Sequence, residues 1–400
     1  MTYLSAEMDG LALAPAREGA GEASAKGGAA GRGYALVTLS VVCVFALLGL
    51  GIVMLYSVTE VGGSMARVQR QALYALAGIV GLVVALRIPY RRLCKASPWL
   101  YAPTVGILLL VLVAGTERNG ATRWFAAGPI TVQPSEFARL VLIGVLAWYL
   151  PREQRWLHKL GGGLVVPLGL IGLPCGLVLA QPDFGMAALL GGMGGTILFI
   201  GGCRVGRLAL VAAVAAAGFF LLVRFDEVRW RRVQTYLGMG EAEEEDAQTK
   251  FAASALRAGG RWGRGLGRGF HKYKYLPEAD NDFIFPIIGE ELGLPATLGI
   301  VSAFFLLTAG GTIVALRACD LMGLLLAAGL TFNLSAQALL NMAVVTRLLP
   351  NKGLPLPFIS AGGSNLIMHL IGIGVLLNIY VTSRRRTART PAAAEAAEDW

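Results

Sequence analysis

Ten long apolar runs follow one another along this sequence, and they constrain its fold more than any other feature. The hydrocarbon core of a bilayer is about 30 Å thick, and a helix rising about 1.5 Å per residue needs about 20 apolar residues to cross it. The runs lie near residues 34–56, 72–87, 99–115, 136–150, 164–180, 186–202, 207–223, 296–316, 321–346 and 363–382. Their number and length predict a chain that crosses a membrane about ten times.

The composition agrees with such a chain, because its mean hydropathy is +0.62 and only 15% of its residues are charged. A water-soluble domain of this composition would expose too much apolar surface. The runs are continuously apolar rather than alternating, so no closed β-barrel is indicated. The five cysteines stand singly without the spacing of metal ligands, and no structural metal site is predicted. The predicted fold class is an all-α integral membrane protein.

Lysine and arginine in the short connections indicate how the chain is oriented in the membrane. With a cytoplasmic N-terminus, 17 of these residues fall in the inner segments and six in the short outer loops, so both termini are predicted to be cytoplasmic. We expect a disordered tail over 1–33, a membrane domain over 34–383 and a second cytoplasmic tail over 384–400. A large extracytoplasmic loop, 224–295, would join helices 7 and 8. The net charge of +10 suits anionic lipid headgroups, and no nucleic-acid partner is predicted.

The stretch YLPEADNDFIFPIIGEELG, residues 275–293, places acidic residues directly before and inside an apolar run. A helix over the whole of 283–316 would be about 51 Å long, which is too long for one crossing. We therefore expect the span to cover 296–316 and the segment 283–295 to lie at the outer interface or to re-enter an outer cavity. Glu290 and Glu291 would then lie at the mouth of that cavity.

Three further polar stretches fall on the same predicted outer face. Each lies at the N-terminus of a predicted helix, and helix N-termini favour anions. The stretches are GATRWFAAGPITVQPSEFAR (120–139), QPDFG (181–185) and LPNKGLPLPFISAGGSN (349–365). Ser135, Asp183 and Ser364 could instead be ordinary helix caps. The basic, glycine-rich GGRWGRGLGRGF (259–270) lacks the ending of a P-loop, and it could be a flap near a phosphate or a plain linker.

The motifs GATRW, QPSE, QPDFG, YLPEA, DFIF, IGEELG and KGLPLPFIS, in this order, resemble the SEDS family of cell-wall polymerases over residues 34–383. Three of them, YLPEA, IGEELG and KGLPLPFIS, are more similar to its division branch, FtsW, than to its elongation branch, RodA. The resemblance implies a peptidoglycan glycosyltransferase that polymerises lipid II at the outer face of the bacterial cytoplasmic membrane, at the division septum. It also implies a class B penicillin-binding protein as transpeptidase partner, together with other proteins of the division machinery.

The same resemblance assigns roles to residues of these motifs. Asp282 would be the general base that takes a proton from the 4-hydroxyl of the acceptor sugar, in an inverting transfer. Arg123, Arg139 and Lys352 would meet the pyrophosphate. Glu136 and Asp183 would orient those cations or hold a divalent ion, Mg²⁺ or Mn²⁺, although no cofactor is firmly expected. Asp280, Glu290 and Ser360 complete the predicted substrate-binding set.

One departure from the family pattern bears on this assignment. Asp280, Asn281 and Asp282 stand where the family has His-Thr-Asp, so a second carboxylate lies two residues from the candidate base and could share its role. Two other function classes stay open. Ten spans with interrupted helices also suit a flippase or transporter of lipid-linked precursors, and the altered motif suits a non-catalytic division scaffold.

Overall fold

The computed structural model describes residues 18–59, 65–118, 121–127, 130–153, 163–227, 230–231, 234, 239, 244–273, 280–350 and 353–398. These ranges contain 11 α-helices. They are α1 (Glu18–Thr59), α2 (Ala66–Arg87), α3 (Tyr90–Ala114), α4 (Pro134–Glu153), α5 (Val165–Ala180), α6 (Phe184–Ile200), α7 (Val205–Phe225), α8 (Glu244–Gly259), α9 (Ile284–Leu316), α10 (Leu321–Val345) and α11 (Gly363–Glu398).

Every predicted apolar run is helical, which confirms the expected all-α multi-pass membrane fold. Seven helices contain segments long and apolar enough to cross a bilayer by length and composition: α1, α2, α3, α7, α9, α10 and α11. The shorter apolar helices α5 and α6 have 16 and 17 residues. The remaining run, 136–150, forms α4, whose 20 residues include two charged side chains buried in the bundle, Glu136 and Arg139.

Helices α1 and α11 extend beyond the predicted membrane domain on both sides. Helix α1 begins at Glu18, within the segment 1–33 that was expected to be a tail, and residues 1–17 lie outside the described residues. Helix α11 continues to Glu398, past the predicted boundary at residue 383. Between α7 and α9, the predicted large loop contains helix α8, which has 16 residues. The domain boundaries themselves stay predictions.

A small antiparallel sheet between α3 and α4 was not predicted. Its strands are β1 (Thr116–Arg118), β2 (Ala121–Ala127) and β3 (Ile130–Val132), in the order β1-β2-β3. Thr116 pairs with Trp124, and Phe125 pairs with Val132. The sheet is tied to the helices because the Tyr74 hydroxyl accepts a 3.3 Å hydrogen bond from Thr131 N. The sheet therefore holds β2, which carries Arg123, against the helices.

Helix α9 is interrupted at Gly293, where φ is 76° and ψ is −165°. This left-handed conformation suits glycine, and a Cβ there would also collide with the backbone of Gly263. Pro295 follows and cannot continue the hydrogen-bond ladder of the preceding turn. The break divides α9 into a short helix over 284–292 and a long span after it, which resolves the excess length expected from the sequence.

Helix pairing determines which ends of the chain meet. The most extensive contacts are those of α2 with α11, α3 with α4, and α9 with both α1 and α10. As a result, the start of α9, the end of α10 and the start of α11 lie together at one end of the bundle. The segment 280–283 precedes α9 there, and the segment 353–362 precedes α11.

Candidate functional site

The segment 280–282, which carries the candidate base, is fixed through its main chain. Its three consecutive carbonyl oxygens accept hydrogen bonds from residues of α10 and of the segment before α11. The pairs are Asp280 O with Ala361 N at 2.9 Å, Asn281 O with Ser360 Oγ at 2.6 Å, and Asp282 O with Asn341 Nδ2 at 2.9 Å. These contacts join three parts of the chain that are far apart in sequence, and they set the course of the backbone at Asp282.

The Asp282 carboxylate lies against the backbone of Gly353. A Cβ built on Gly353 would be 2.5 Å from Asp282 Oδ2, so the close approach depends on glycine. Asp282 is half-buried. In the sequence, Gly353 follows Lys352, the predicted phosphate ligand, but Lys352 itself lies outside the described residues. The predicted role of Lys352 therefore stays a prediction.

Asp280, the second carboxylate of this segment, has a cationic partner. Arg67, at the start of α2, approaches Asp280 Oδ2 to 3.0 Å through its Nη1 atom. The side chain of Arg67 is 51% exposed and that of Asp280 is 18% exposed, so water and salt screen the pair. The negative charge that this chain adds beside Asp282 is thus balanced locally.

Ser360 is buried and holds two loops together. Its hydroxyl accepts a 2.7 Å hydrogen bond from Leu356 N while it donates to Asn281 O, and its carbonyl accepts a 3.0 Å bond from Gln71 Nε2. These contacts place Ser360 beside the segment 280–282. They also occupy its hydroxyl with protein partners, and substrate binding by Ser360 stays a prediction.

Helix α10 carries a line of buried amides toward this segment. Asn333, Gln337 and Asn341 follow at intervals of four residues and therefore share one face. Their exposed fractions are 5%, 0% and 2%. Gln337 Nε2 donates to Pro355 O at 2.7 Å, and Asn341 Nδ2 donates to Leu354 O at 2.7 Å as well as to Asp282 O. The loop over 353–356 is thereby held by two successive turns of α10.

The predicted site residues Glu136 and Arg139 lie inside the bundle, where each is 1% exposed. They form an ion pair one turn apart on α4. Arg139 also donates to Asn333 Oδ1 at 3.1 Å and to Gln337 Oε1. Glu136 Oε1 accepts a 3.0 Å bond from Asn365 Nδ2. Through Arg139, the pair is hydrogen-bonded to two amides of this line, those of Asn333 and Gln337. Its contact with a substrate stays a prediction.

Arg123 and Asp183 form a second pair, at the turn between α5 and α6. Arg123 Nη2 donates to Pro182 O at 2.7 Å, its Nε donates to Gln181 O at 3.3 Å, and its Nη1 lies 3.4 Å from Asp183 Oδ2. Asp183 caps α6 by accepting a 3.1 Å bond from Met186 N. The capping alternative for Asp183 therefore describes its geometry, whereas a role for either residue in binding substrate stays a prediction.

Glu290 and Glu291 are completely buried beneath the glycine-rich loop. Glu290 accepts hydrogen bonds from Phe270 N at 2.9 Å and His271 N at 3.2 Å. Glu291 accepts from Gly267 N at 2.9 Å and lies 2.7 Å from Lys272 Nζ, which is itself buried. The two carboxylates thus hold the loop on the short helix of α9. The prediction that Glu290 binds substrate is untested.

The expected divalent cation gains no support from the two predicted ligands. Glu136 already pairs with Arg139 and Asp183 with Arg123. Within the described residues, no three His, Cys, Asp or Glu side chains come together in a way that could hold a metal ion. Glu136 and Asp183 in these pairs therefore do not fit a cation site.

Within the described residues, the structure brings part of the predicted set together. Asp280, Asp282 and Ser360 come together, and the line of amides connects them to Glu136 and Arg139. Arg123 with Asp183 and Glu290 belong to separate arrangements. Sequence reasoning missed Arg67, Gln337 and Asn341. The signal for the last two was available, because buried amides spaced by four residues in an apolar span are costly and point to polar partners.

Comparisons with known proteins agree with this architecture. The profile of the family described as "Cell cycle protein", FtsW/RodA/SpoVE, matches residues 37–385. A "Probable peptidoglycan glycosyltransferase FtsW" of Geobacter sp. (strain M18) is 37% identical, covering 88% of this chain and 98% of the relative. The "Stage V sporulation protein E" of Bacillus subtilis (strain 168) is 33% identical, covering 86% of this chain and 97% of the relative.

Solved structures show the same fold. A chain from "Structural coordination of polymerization and crosslinking by a peptidoglycan synthase complex" aligns with a TM-score of 0.73 and 27% identity, covering 86% of this chain and 97% of that one. The rod shape determining protein RodA of Thermus thermophilus aligns with a TM-score of 0.63 and 29% identity, covering 85% and 95%. The resemblance found in the motifs is confirmed: this chain belongs to the FtsW/RodA/SpoVE family of cell cycle proteins.

Proposed function

We propose that this protein is a peptidoglycan glycosyltransferase that polymerises lipid II, with Asp282 as its general base. The observation that carries the proposal is the setting of Asp282 within a chain of this family. Its carboxylate lies against Gly353 at one end of the bundle, and its carbonyl is held by Asn341. A carboxylate fixed through its backbone and only half-buried can take up and release a proton without moving its supporting chain.

The reaction needs one proton transfer and one displacement. Asp282 takes the proton of the acceptor 4-hydroxyl while that oxygen forms a bond to the anomeric carbon of the lipid-linked glycan. The bond from this carbon to the pyrophosphate oxygen breaks, and undecaprenyl pyrophosphate leaves with the bonding pair. Attack from the opposite face inverts the anomeric configuration. Asp282 then returns its proton to water, and no covalent enzyme intermediate is required.

The cellular setting forms part of the same proposal. The distribution of Lys and Arg supports cytoplasmic termini, with Asp282 at the outer face of the bacterial cytoplasmic membrane. The motifs of the FtsW type support a role at the division septum, with other division proteins. The structural relative from a peptidoglycan synthase complex supports a class B penicillin-binding protein as the transpeptidase partner.

The test is lipid II polymerisation by the full-length chain, purified together with its transpeptidase partner. Asp282→Asn keeps the shape of the side chain and removes the base, so we expect the rate to fall by about 10²- to 10⁴-fold. Asp280→Asn is the matched control, because it removes the neighbouring carboxylate and should retain activity. Loss in Asp280→Asn with activity retained in Asp282→Asn would move the base by two residues.

Two other activities are outcomes of the same experiment. Transfer of labelled lipid II across the vesicle bilayer without polymer would identify a flippase. Absence of both polymer and transfer in a folded complex that stimulates its transpeptidase would identify a scaffold. Added Mg²⁺ or Mn²⁺ and a chelator, compared in the same assay, test whether a divalent cation is used.

A further inference from the structure

Asn341 touches both parts of the chain that form the candidate site. Its side-chain amide donates a 2.9 Å hydrogen bond to Asp282 O and a 2.7 Å hydrogen bond to Leu354 O. Leu354 adjoins Gly353, whose backbone contacts the Asp282 carboxylate. We propose that Asn341 is a positioning residue for glycosyl transfer, which sets Asp282 relative to the segment that begins at Gly353. This inference rests on the function proposed above.

The position of Asn341 is itself well defined. It is 2% exposed and lies on α10, one turn after Gln337, which is fully buried. Gln337 Nε2 donates to Pro355 O, and Gln337 Oε1 accepts from Arg139, so the orientation of the Gln337 amide is determined on both sides. Two successive turns of a rigid helix therefore hold two successive residues of the loop. Because Asn341 is fixed on this helix, its hydrogen bonds also fix the positions of Asp282 O and Leu354 O.

A polar side chain inside an apolar helix is costly unless it finds a partner. The side-chain N–H groups of Asn341 and Gln337 bond to main-chain oxygens of the segments outside the helix, while Gln337 Oε1 accepts from Arg139 of α4. The segments at 280–283 and 353–356 lie in turns and irregular backbone. The side chain of Asn341 hydrogen-bonds to both of these segments. Its loss would leave the carbonyl groups of Asp282 and Leu354 without that donor, and the two segments would separate to reach other partners.

The consequence for catalysis follows from the geometry of proton transfer. A general base must lie within hydrogen-bond reach of the hydroxyl that it deprotonates. A displacement of about 1 Å in a reacting group can reduce the rate by about 100-fold. Within the described residues, the hydrogen bonds of Asn341 go to main-chain oxygens of the site. Its replacement should therefore change this alignment while leaving the chemical groups that bind lipid II in place.

The experiment compares two buried asparagines that differ in position. Asn341→Leu removes the amide that bonds Asp282 O and Leu354 O. Asn378→Leu, on α11, removes an amide of the same kind that bonds Leu86 O at 2.7 Å and Tyr90 N at 2.9 Å, at the other end of α2 from Arg67. We measure kcat and KM for lipid II with the full-length complex, and thermal unfolding in detergent. Asn341→Leu should lower kcat by about 100-fold with KM unchanged, and Asn378→Leu should retain kcat.

Several results would overturn the inference. They are a wild-type kcat in Asn341→Leu, an increase in KM alone, and an equal loss of kcat in Asn378→Leu. Should Asn341→Leu not fold, Asn341→Ser provides the same comparison, since its shorter side chain cannot bridge both oxygens. Asp282→Asn is assayed alongside. If Asp282→Asn is active, the proposed function is wrong. If Asp282→Asn is inactive and Asn341→Leu is fully active, only the proposed role of Asn341 is wrong.

Discussion

Arg67 pairs with Asp280 across a distance of 3.0 Å, which joins the start of α2 to the segment that carries the candidate base. The pair balances the negative charge of Asp280, which stands two residues from the candidate base. The arginine thereby holds Asp280, and with it the start of the segment 280–282, against α2.

Arg67→Gln should therefore lower polymerisation by less than about fivefold, because a pair this exposed contributes less than about 1 kcal/mol. The measurement is kcat/KM for lipid II at low and at high salt. Salt screens the pair, so the difference between Arg67→Gln and the wild type should shrink at high salt. A loss of more than about tenfold, or a loss that salt leaves unchanged, contradicts the prediction.

Gly353→Ala should reduce polymerisation strongly, because the added Cβ would lie 2.5 Å from Asp282 Oδ2 and one of the two groups must move. A shift of this size in a catalytic group can lower the rate by about 100-fold. The matched control is Gly299→Ala on α9, where a Cβ would meet nothing within 4 Å. The control should be active and at least as stable, since alanine is favoured over glycine in helices by about 1 kcal/mol.

Much of this fold could be predicted because each membrane helix is specified by its own apolar run. The break in α9 also had a local signal, since the length of the run, Gly293 and Pro295 all indicate it. The sheet at 116–132 had none, because its strands of three to seven residues are short and lie in a polar loop. The sheet is joined instead to Tyr74 and Ser364, which are distant in sequence.

The candidate site was predictable only where the family motif names a residue. Asp282 and Ser360 stand in such motifs, and the structure brings their segments together. The pairing of Arg67 with Asp280 spans 213 residues, and that of Asn341 with Asp282 spans 59. Such partners depend on helix packing rather than on local sequence. Spacing of four residues identifies the face of α10, but it does not say which loop that face will meet.

Glu291→Gln should destabilise the protein, because it leaves the buried ammonium of Lys272 without its anionic partner at 2.7 Å. Removal of one member of a buried ion pair costs about 3–5 kcal/mol. Thermal unfolding of the detergent-purified protein measures the loss. The double variant Lys272→Met/Glu291→Gln removes both charges and should recover much of the stability. A single variant as stable as the wild type would show that Lys272 finds another anion or water.

Asp183→Ser separates capping from substrate binding at the α5–α6 turn. Asp183 accepts a hydrogen bond from Met186 N, and serine is an equally good N-cap, whereas alanine is worse by about 1 kcal/mol. If capping is the whole role of Asp183, Asp183→Ser keeps both stability and polymerisation, and Asp183→Ala loses only stability. We expect this result, because Arg123 already neutralises the carboxylate at 3.4 Å. A stable Asp183→Ser variant with a higher KM for lipid II would instead show that the carboxylate acts on the substrate.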